Sequence, residues 1–396
     1  MRKGALFLFG LVVAALVALG LIVLSSASEA NGMRLHNDAF FFMKRQFSYL
    51  AVAVAVAAAT AAFDYRHWRD HWSLAVAFYI LVAALLALVF LSPPINGSRR
   101  WIPLGILRLQ PSEFAKLAVV IAIAVWMDLS GWRVELFARG AIFPMVLAGL
   151  FCGLVLLEPD FGSVMVIGAA GAIVMLVAGT RLTHLIPIGL IGVAGVIAVL
   201  ATNENRMRRL GPFMAKMSAA FSRTDPAAAA AAASAAESDF SSMDPAAYQA
   251  YMARVAIQNG GIWGMGLGES MQKHLYLPEA HTDFIFAVGA EELGIIFSIS
   301  VILLFFTFFA ISVYIARKAS DRFGRYLVMG MAFIVFFQAM FNLGVVCEAL
   351  PTKGMALPFF SYGGTNLIAT FFAVGTILSV GIHSSHDAKR THYRKG

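Results

Sequence analysis

The chain has 396 residues, 60% of them hydrophobic and only 13% charged, where an ordinary soluble domain carries about 25% charged residues. These proportions exclude a soluble globular protein and describe an integral membrane protein. The net charge of +8 is no argument for a nucleic-acid partner, because basic residues flanking membrane helices give the same sign. Two cysteines, Cys152 and Cys347, exclude a disulfide framework and a thiolate metal site.

A spanning helix needs about 20 mostly apolar residues. Ten stretches qualify: 5–24, 47–63, 73–92, 113–128, 140–157, 161–178, 183–201, 284–316, 324–346 and 364–382. The first follows Met1-Arg2-Lys3 and precedes SSASEA, which imitates a signal peptide. Its apolar run exceeds the roughly 7–15 residues of a signal core, so it reads as an uncleaved first span.

Ten spans place both termini on one side. With the N-terminus inside, the inner segments hold Arg2, Lys3, Arg66, Arg69, Arg133, Arg139, Arg181, Arg317, Lys318, Arg322, Arg325, Lys389, Arg390, Arg394 and Lys395. The short outer loops hold only Arg34, Lys44, Arg45, Arg99, Arg100, Arg108 and Lys353. The positive-inside rule selects this orientation. The expectation is an all-α bundle of about ten transmembrane helices with a large extracytoplasmic loop, 202–283, before the eighth. One membrane domain covers 1–383 and a basic cytoplasmic tail covers 384–396. Within the loop, Thr224–Ala247 is low-complexity, almost all Ala, Ser, Asp and Pro, and carries no chemistry. The inner loops are short and lack a nucleotide-binding pattern.

The unusual sequence therefore lies outside. Asp283, after His281 and Thr282, stands where the eighth span begins. Thr-Asp before a helix is ordinary capping chemistry, yet a carboxylate at the water–lipid boundary is also placed to take a proton. At 100° per residue Ala287, Ala290 and Gly294 would continue its face. Glu291 and Glu292 fall elsewhere, where they would bond neighbouring helices. In 96–118, Ser112 can cap a helix starting at Glu113, and Glu113 and Lys116 share a helical face. They form either a buried ion pair or a site for an anionic head group. Arg99, Arg100 and Trp101 suit a phosphate or sugar, and equally an interface anchor. Glu158-Pro159-Asp160 makes a tight polar turn. The glycines 260, 261, 264, 266 and 268 lack the strand–helix context of a dinucleotide motif, although amides in such a turn can hold a phosphate. Leu350–Gly354 and Leu357–Thr365 suit a re-entrant turn whose Ser361 and Tyr362 hydroxyls would line a polar site.

Four stretches, NGSRRWIPLG…QPSEFAK, EPDFGS, QK(x)2YLPEAHTDFIFAV(x)2EELG and LPTKG(x)3PF(x)SYGG, together resemble the SEDS proteins of bacteria (shape, elongation, division and sporulation), in the same order and over about residues 1–383. The LPTKG form is similar to the division branch. The chain departs from the family at Met252-Ala253 and in its Ala-rich insert. The resemblance implies a glycosyltransferase that polymerises lipid II into glycan strands in the cytoplasmic membrane. Its partners would be the nascent strand, a class B penicillin-binding protein and other divisome or elongasome proteins. It implies Asp283 as the essential acid, with Glu113, Lys116, Asp160 and Ser361 lining a polar cavity and Arg45 as a basic residue of the second span. Asp283 is then the base for the attacking hydroxyl. Lys116, Arg99, Arg100 or a divalent cation, with Mg2+ favoured, would meet the charge on the departing pyrophosphate. No organic cofactor is expected. The rival functions are a lipid II flippase and a scaffold that activates the penicillin-binding protein. The bias of polar motifs to one face favours the enzyme over a transporter, whose site must be reached from both sides.

Overall fold

In a hydrocarbon environment a chain must satisfy its backbone polar groups within each segment, so long apolar runs become helices. The computed structural model describes residues 2–94, 98–105, 107–201, 245–273, 276–351 and 354–393. Most of the Ala-rich insert and Lys353 lie outside them. The helices are α1 (Arg2–His36), α2 (Phe41–Ala62), a single turn α3 (His67–Asp70), α4 (Trp72–Val89), α5 (Pro111–Ser130), α6 (Phe143–Leu157), α7 (Phe161–Ala178), α8 (Leu182–Ala201), α9 (Pro245–Gly260), α10 (Ile285–Arg317), α11 (Arg322–Val346) and α12 (Gly364–Tyr393). A short antiparallel hairpin, β1 (Ile102–Leu104) with β2 (Leu107–Leu109), pairs Ile102 with Leu109 and leads into α5.

Nine helices among the described residues are long and apolar enough to cross a membrane. The expected seventh span coincides with α8, whose described apolar stretch is the shorter Leu182–Gly192. The protein is thus an all-α, multi-pass membrane protein. Helices α5, α11 and α12 form its buried centre. Close approach depends on small residues, as at other membrane helix interfaces. A Cβ on Gly375 of α12 would strike Thr60 and the Ala57 carbonyl of α2, and one on Gly330 would strike Val120 and Val174.

Two details correct the sequence reading. Helix α5 begins at Pro111 with Gln110 as its N-cap residue and no side-chain cap. Ser112 therefore does not cap it; its hydroxyl instead accepts from Gln110 Nε2 at 3.1 Å. The expected eighth span is also not one continuous helix. Gly294 sits at φ 73°, ψ −167°, inside α10, and separates a short helix, Ile285–Leu293, from the long remainder. Only glycine adopts that geometry readily. The break persists because upstream residues take its hydrogen bonds. The amides of Met265 and Gly266 donate to the carbonyls of Glu291 and Glu292, and the Ile295 amide donates to the Gly261 carbonyl, each at 3.0 Å.

The same loop occupies both glutamate side chains. Glu291 accepts from Ser270 and from Asn259 Nδ2. Glu292 accepts from Ser26 of α1 and lies 3.6 Å from the buried Lys273 ammonium. The glutamates therefore clamp the outer loop and, as expected, bond neighbouring helices: Glu291 through Asn259 of α9 and Glu292 through Ser26 of α1. The glycine-run amides at 265 and 266 are consumed in this docking and that of Gly264 by the Gly260 carbonyl, so the phosphate-cradle reading fails for them.

Candidate active site

Four connections converge at one end of the bundle: the β-hairpin loop, the α6–α7 turn, the segment before α10, and the turn 354–363 before α12. Between them lies a cavity of about 220 Å3, lined among others by Arg100, Trp101, Gln110, Glu113, Lys116, Asp160, Glu279, Thr282, Asp283, Gly354, Tyr362 and Asn366.

Asp283 is half-buried on this wall. Phe284, not Asp283, is the N-cap residue of α10, and no side chain caps that helix. The capping role that Thr282-Asp283 suggests is therefore absent, and the carboxylate has no hydrogen-bond or ion-pair partner among the described residues. Its backbone is fixed all the same, because Asn342 Nδ2 donates to the Asp283 carbonyl at 2.7 Å and to that of Met355 at 2.6 Å. The carboxylate lies against Gly354, where a Cβ would collide with it. Burial raises its pKa to about 7, helped by the charges of Glu279 and Asp160 and opposed by Arg100. A carboxyl so placed titrates near neutrality, as a general base requires. Because Asp283 precedes α10 and Gly294 breaks it, the helical face drawn through Ala287, Ala290 and Gly294 does not exist.

Lys116 and Glu113 form the buried pair that their spacing predicts, at 2.7 Å. Lys116 also donates to Gln338 Oε1 at 2.8 Å, and Glu113 accepts from Asn366 Nδ2 at 3.0 Å. An ammonium has three N–H donors, so these bonds leave one for the cavity. Arg100 is held differently. Its guanidinium donates to the carbonyls of Glu158 and Pro159 at 2.9 and 2.7 Å, and no carboxylate among the described residues lies within ion-pair distance. Its charge stays available. Asp160 caps α7 by accepting from the Ser163 amide and hydroxyl, and also accepts from Gln110. Beside it Glu158 is buried with both carboxyl oxygens unpartnered among the described residues. Burial and Asp160 push its pKa to about 8.

Three expected site residues lie elsewhere. Arg99 is exposed and donates to the Phe90 carbonyl at 2.6 Å, outside the cavity. Ser361 is buried; its hydroxyl accepts from the Leu357 amide and donates to the Thr282 carbonyl, both at 2.7 Å. It thus stitches the turn 354–363 to the Asp283 segment. Arg45 stacks over Phe41 at 4.7 Å and lies near Tyr362, so it sits behind a lining residue without lining the cavity itself. Gln338 and Asn342, one turn apart on α11, were missed. Their signal was two amides inside an otherwise apolar span, which in a membrane seek partners. Among the described residues no group of three or more His, Cys, Asp or Glu is placed to hold a metal ion.

These features define an all-helical, multi-pass membrane protein with a charged cavity at one end of the bundle. The chain belongs to the FtsW/RodA/SpoVE family of cell cycle proteins, whose model matches residues 6–386. It is 34% identical over 371 residues to a Trichlorobacter lovleyi protein named "Probable peptidoglycan glycosyltransferase FtsW", covering 93% of this chain and 91% of the relative. A Coxiella burnetii protein of the same name is 34% identical over 378 residues, 94% of each. Among solved structures, a chain of a peptidoglycan synthase complex, described as coordinating polymerization and crosslinking, superposes with a TM-score of 0.71 at 27% identity, covering 96% of this chain and 98% of that one. The rod shape determining protein RodA of Thermus thermophilus gives 0.64 at 26% identity, covering 95% of each.

Proposed function

We propose that the chain is a peptidoglycan glycosyltransferase of the division branch that polymerises lipid II, with Asp283 as general base. The observation that carries this reading is an unpartnered carboxylate with its pKa near 7, in one cavity with Arg100 and Lys116. The names of the FtsW relatives support the reaction class.

The acceptor sugar hydroxyl attacks the anomeric carbon of the donor from the face opposite its diphosphate. The new C–O bond forms as the bond to the diphosphate oxygen breaks, with inversion. Asp283 takes the hydroxyl proton. The leaving group departs as a diphosphate anion, and Arg100 and the remaining Lys116 donor meet its charge where it develops. Glu113, Gln338 and Asn366 keep the Lys116 ammonium aimed. Mg2+ is commonly held by one or two carboxylates together with substrate phosphates, so the lack of a three-ligand cluster among the described residues does not conflict with it. One or two of the cavity carboxylates Asp160, Glu279 and Asp283 would hold it together with the diphosphate, and it would supply further charge neutralisation there.

In this reading the chain lies in the cytoplasmic membrane of a bacterium, with both termini inside and the cavity outside, on the asymmetry of basic loop residues. Its partner is a class B penicillin-binding protein, a pairing supported by the resemblance to a chain of a synthase complex. A reporter fused after Gly396 that works only outside the cell would overturn the orientation.

The test uses purified protein, the partner with its transpeptidase blocked, and labelled lipid II. Asp283→Asn keeps the size of the side chain and removes the proton acceptor, so glycan strands on a gel should fall at least about a hundredfold while lipid II still binds. Equal polymer from both proteins removes Asp283 as the base. No polymer from either, with lipid movement intact in vesicles, replaces the enzyme by a flippase.

A further inference from the structure

The turn Gly261–Gly268, which the mechanism does not use, presents an apolar surface. Its sequence, GIWGMGLG, has no charged residue. Trp263 is 81% exposed, Ile262 62%, Leu267 55% and Met265 44%, too much apolar area at one place to be ordinary water-facing surface. The turn is bonded to α10 where that helix resumes at Ile295. From there Ile295, Ile296, Ile299, Leu303 and Phe306 form the exposed apolar side of a spanning helix, which is its lipid-facing side. The apolar surface of the turn continues that side upward.

The backbone is also prepared for low polarity. The amides of Gly264, Met265 and Gly266 are all taken, by the carbonyls of Gly260, Glu291 and Glu292. Backbone enters a bilayer only when such groups are satisfied internally. Glycines at positive φ, at 261, 264, 266 and 268, let the chain fold tightly enough to do this and still turn its four large side chains outward. Glu269, exposed, marks the return to polar sequence.

We propose that Gly261–Gly268 is a membrane-seated anchor whose Ile262, Trp263, Met265 and Leu267 side chains lie in the headgroup–acyl boundary of the leaflet at the Asp283 end. Tryptophan concentrates at that boundary because its ring is apolar and its indole N–H is not. The anchor holds the loop that clamps the Gly294 break, and so sets the height of the cavity at the level where a lipid-borne diphosphate lies. The location of the turn does not depend on the reaction, and its test reads no activity.

The experiment places the full chain, without partner, in vesicles containing phosphatidylcholine brominated at shallow or deep acyl positions. The Trp263 signal is the difference in emission between the wild type and Trp263→Phe, an exposed site where the fold tolerates the change. That signal should lose most of its intensity to the shallow bromines, less to the deep ones, and little to aqueous iodide. Ile262→Trp in the Trp263→Phe background repeats the measurement at a neighbouring position. Quenching by iodide with no effect of bromine puts the turn in water and overturns the proposal. Protection from both quenchers shows a protein contact and overturns it equally.

Discussion

Asp321 and Asp283 make an instructive pair. Each follows a hydroxyl residue, Ser320 or Thr282, and each precedes a spanning helix, at opposite ends of the bundle. Asp321 uses both oxygens: one accepts from the Gly324 amide at 2.7 Å and caps α11, the other from Tyr65 at 2.6 Å and from Arg66. Ser320 and Ser384 close the cluster around them. Asp283 caps nothing, faces open space, and has only Arg100 to lower its pKa against burial and two neighbouring carboxylates. The same dipeptide chemistry yields a rivet in one place and a reactive group in the other. The difference lies in whether the surroundings satisfy the carboxylate.

If satisfaction separates structure from chemistry, the Glu113–Lys116 pair tests it most severely, being both well bonded and in the cavity. Replacing a buried pair by packed side chains is often neutral for stability. Glu113→Gln with Lys116→Met should therefore fold, yet lower polymerisation by about a hundredfold or more through loss of a donor to developing charge. Melting temperature and strand synthesis measured together decide it; an active double variant makes the pair purely structural.

Gly354→Ala attacks the open side of Asp283. The added methyl collides with the carboxylate, and a misplacement of about 1 Å can cost up to about a hundredfold. A loss of about tenfold in kcat, with lipid II binding kept, is the expected outcome.

The pH profile measures the electrostatic part of the contrast. Asp283 must be ionised to accept a proton, so activity should fall as pH drops below about 7. Arg100 favours the charged form. Arg100→Ala therefore raises the pKa and moves the acid limb to higher pH, besides lowering the maximal rate. A limb that stays near the ordinary carboxylate range would assign the titration to another group.

Asp321→Ala gives the smallest effect. Loss of the helix cap should cost about 0.5–2 kcal/mol and loss of the Tyr65 and Arg66 bonds adds to it, read as a lower thermal midpoint, with specific polymerisation at permissive temperature within about twofold of wild type. A hundredfold loss of activity there would erase the distinction between the two aspartates.

Much of this was readable in the chain because it is written locally. Hydropathy marks the spans, and i,i+3 spacing joins Glu113 to Lys116. Motif order assigns Asp283, Asp160 and Arg100 to one face, and they do line one cavity. What was not readable depends on distant partners. Nothing near Gly294 announces a break that needs carbonyls and amides from residues 261–266. Arg99 and Arg100 are neighbours in sequence, yet only Arg100 meets the α6–α7 turn. Ser361 looks like a ligand hydroxyl until Thr282 and Leu357 claim it.

The break at Gly294 also resolves a mismatch of length. An uninterrupted α10 of 33 residues would rise about 50 Å, whereas the hydrocarbon layer is about 30 Å thick. A helix that long must tilt steeply or push apolar turns into water. Ending the membrane-crossing rod at Ile295 leaves about 35 Å, close to a natural fit. The surplus turns, Ile285–Leu293, become a separate shelf that can be aimed independently of tilt, and Asp283 stands at its edge.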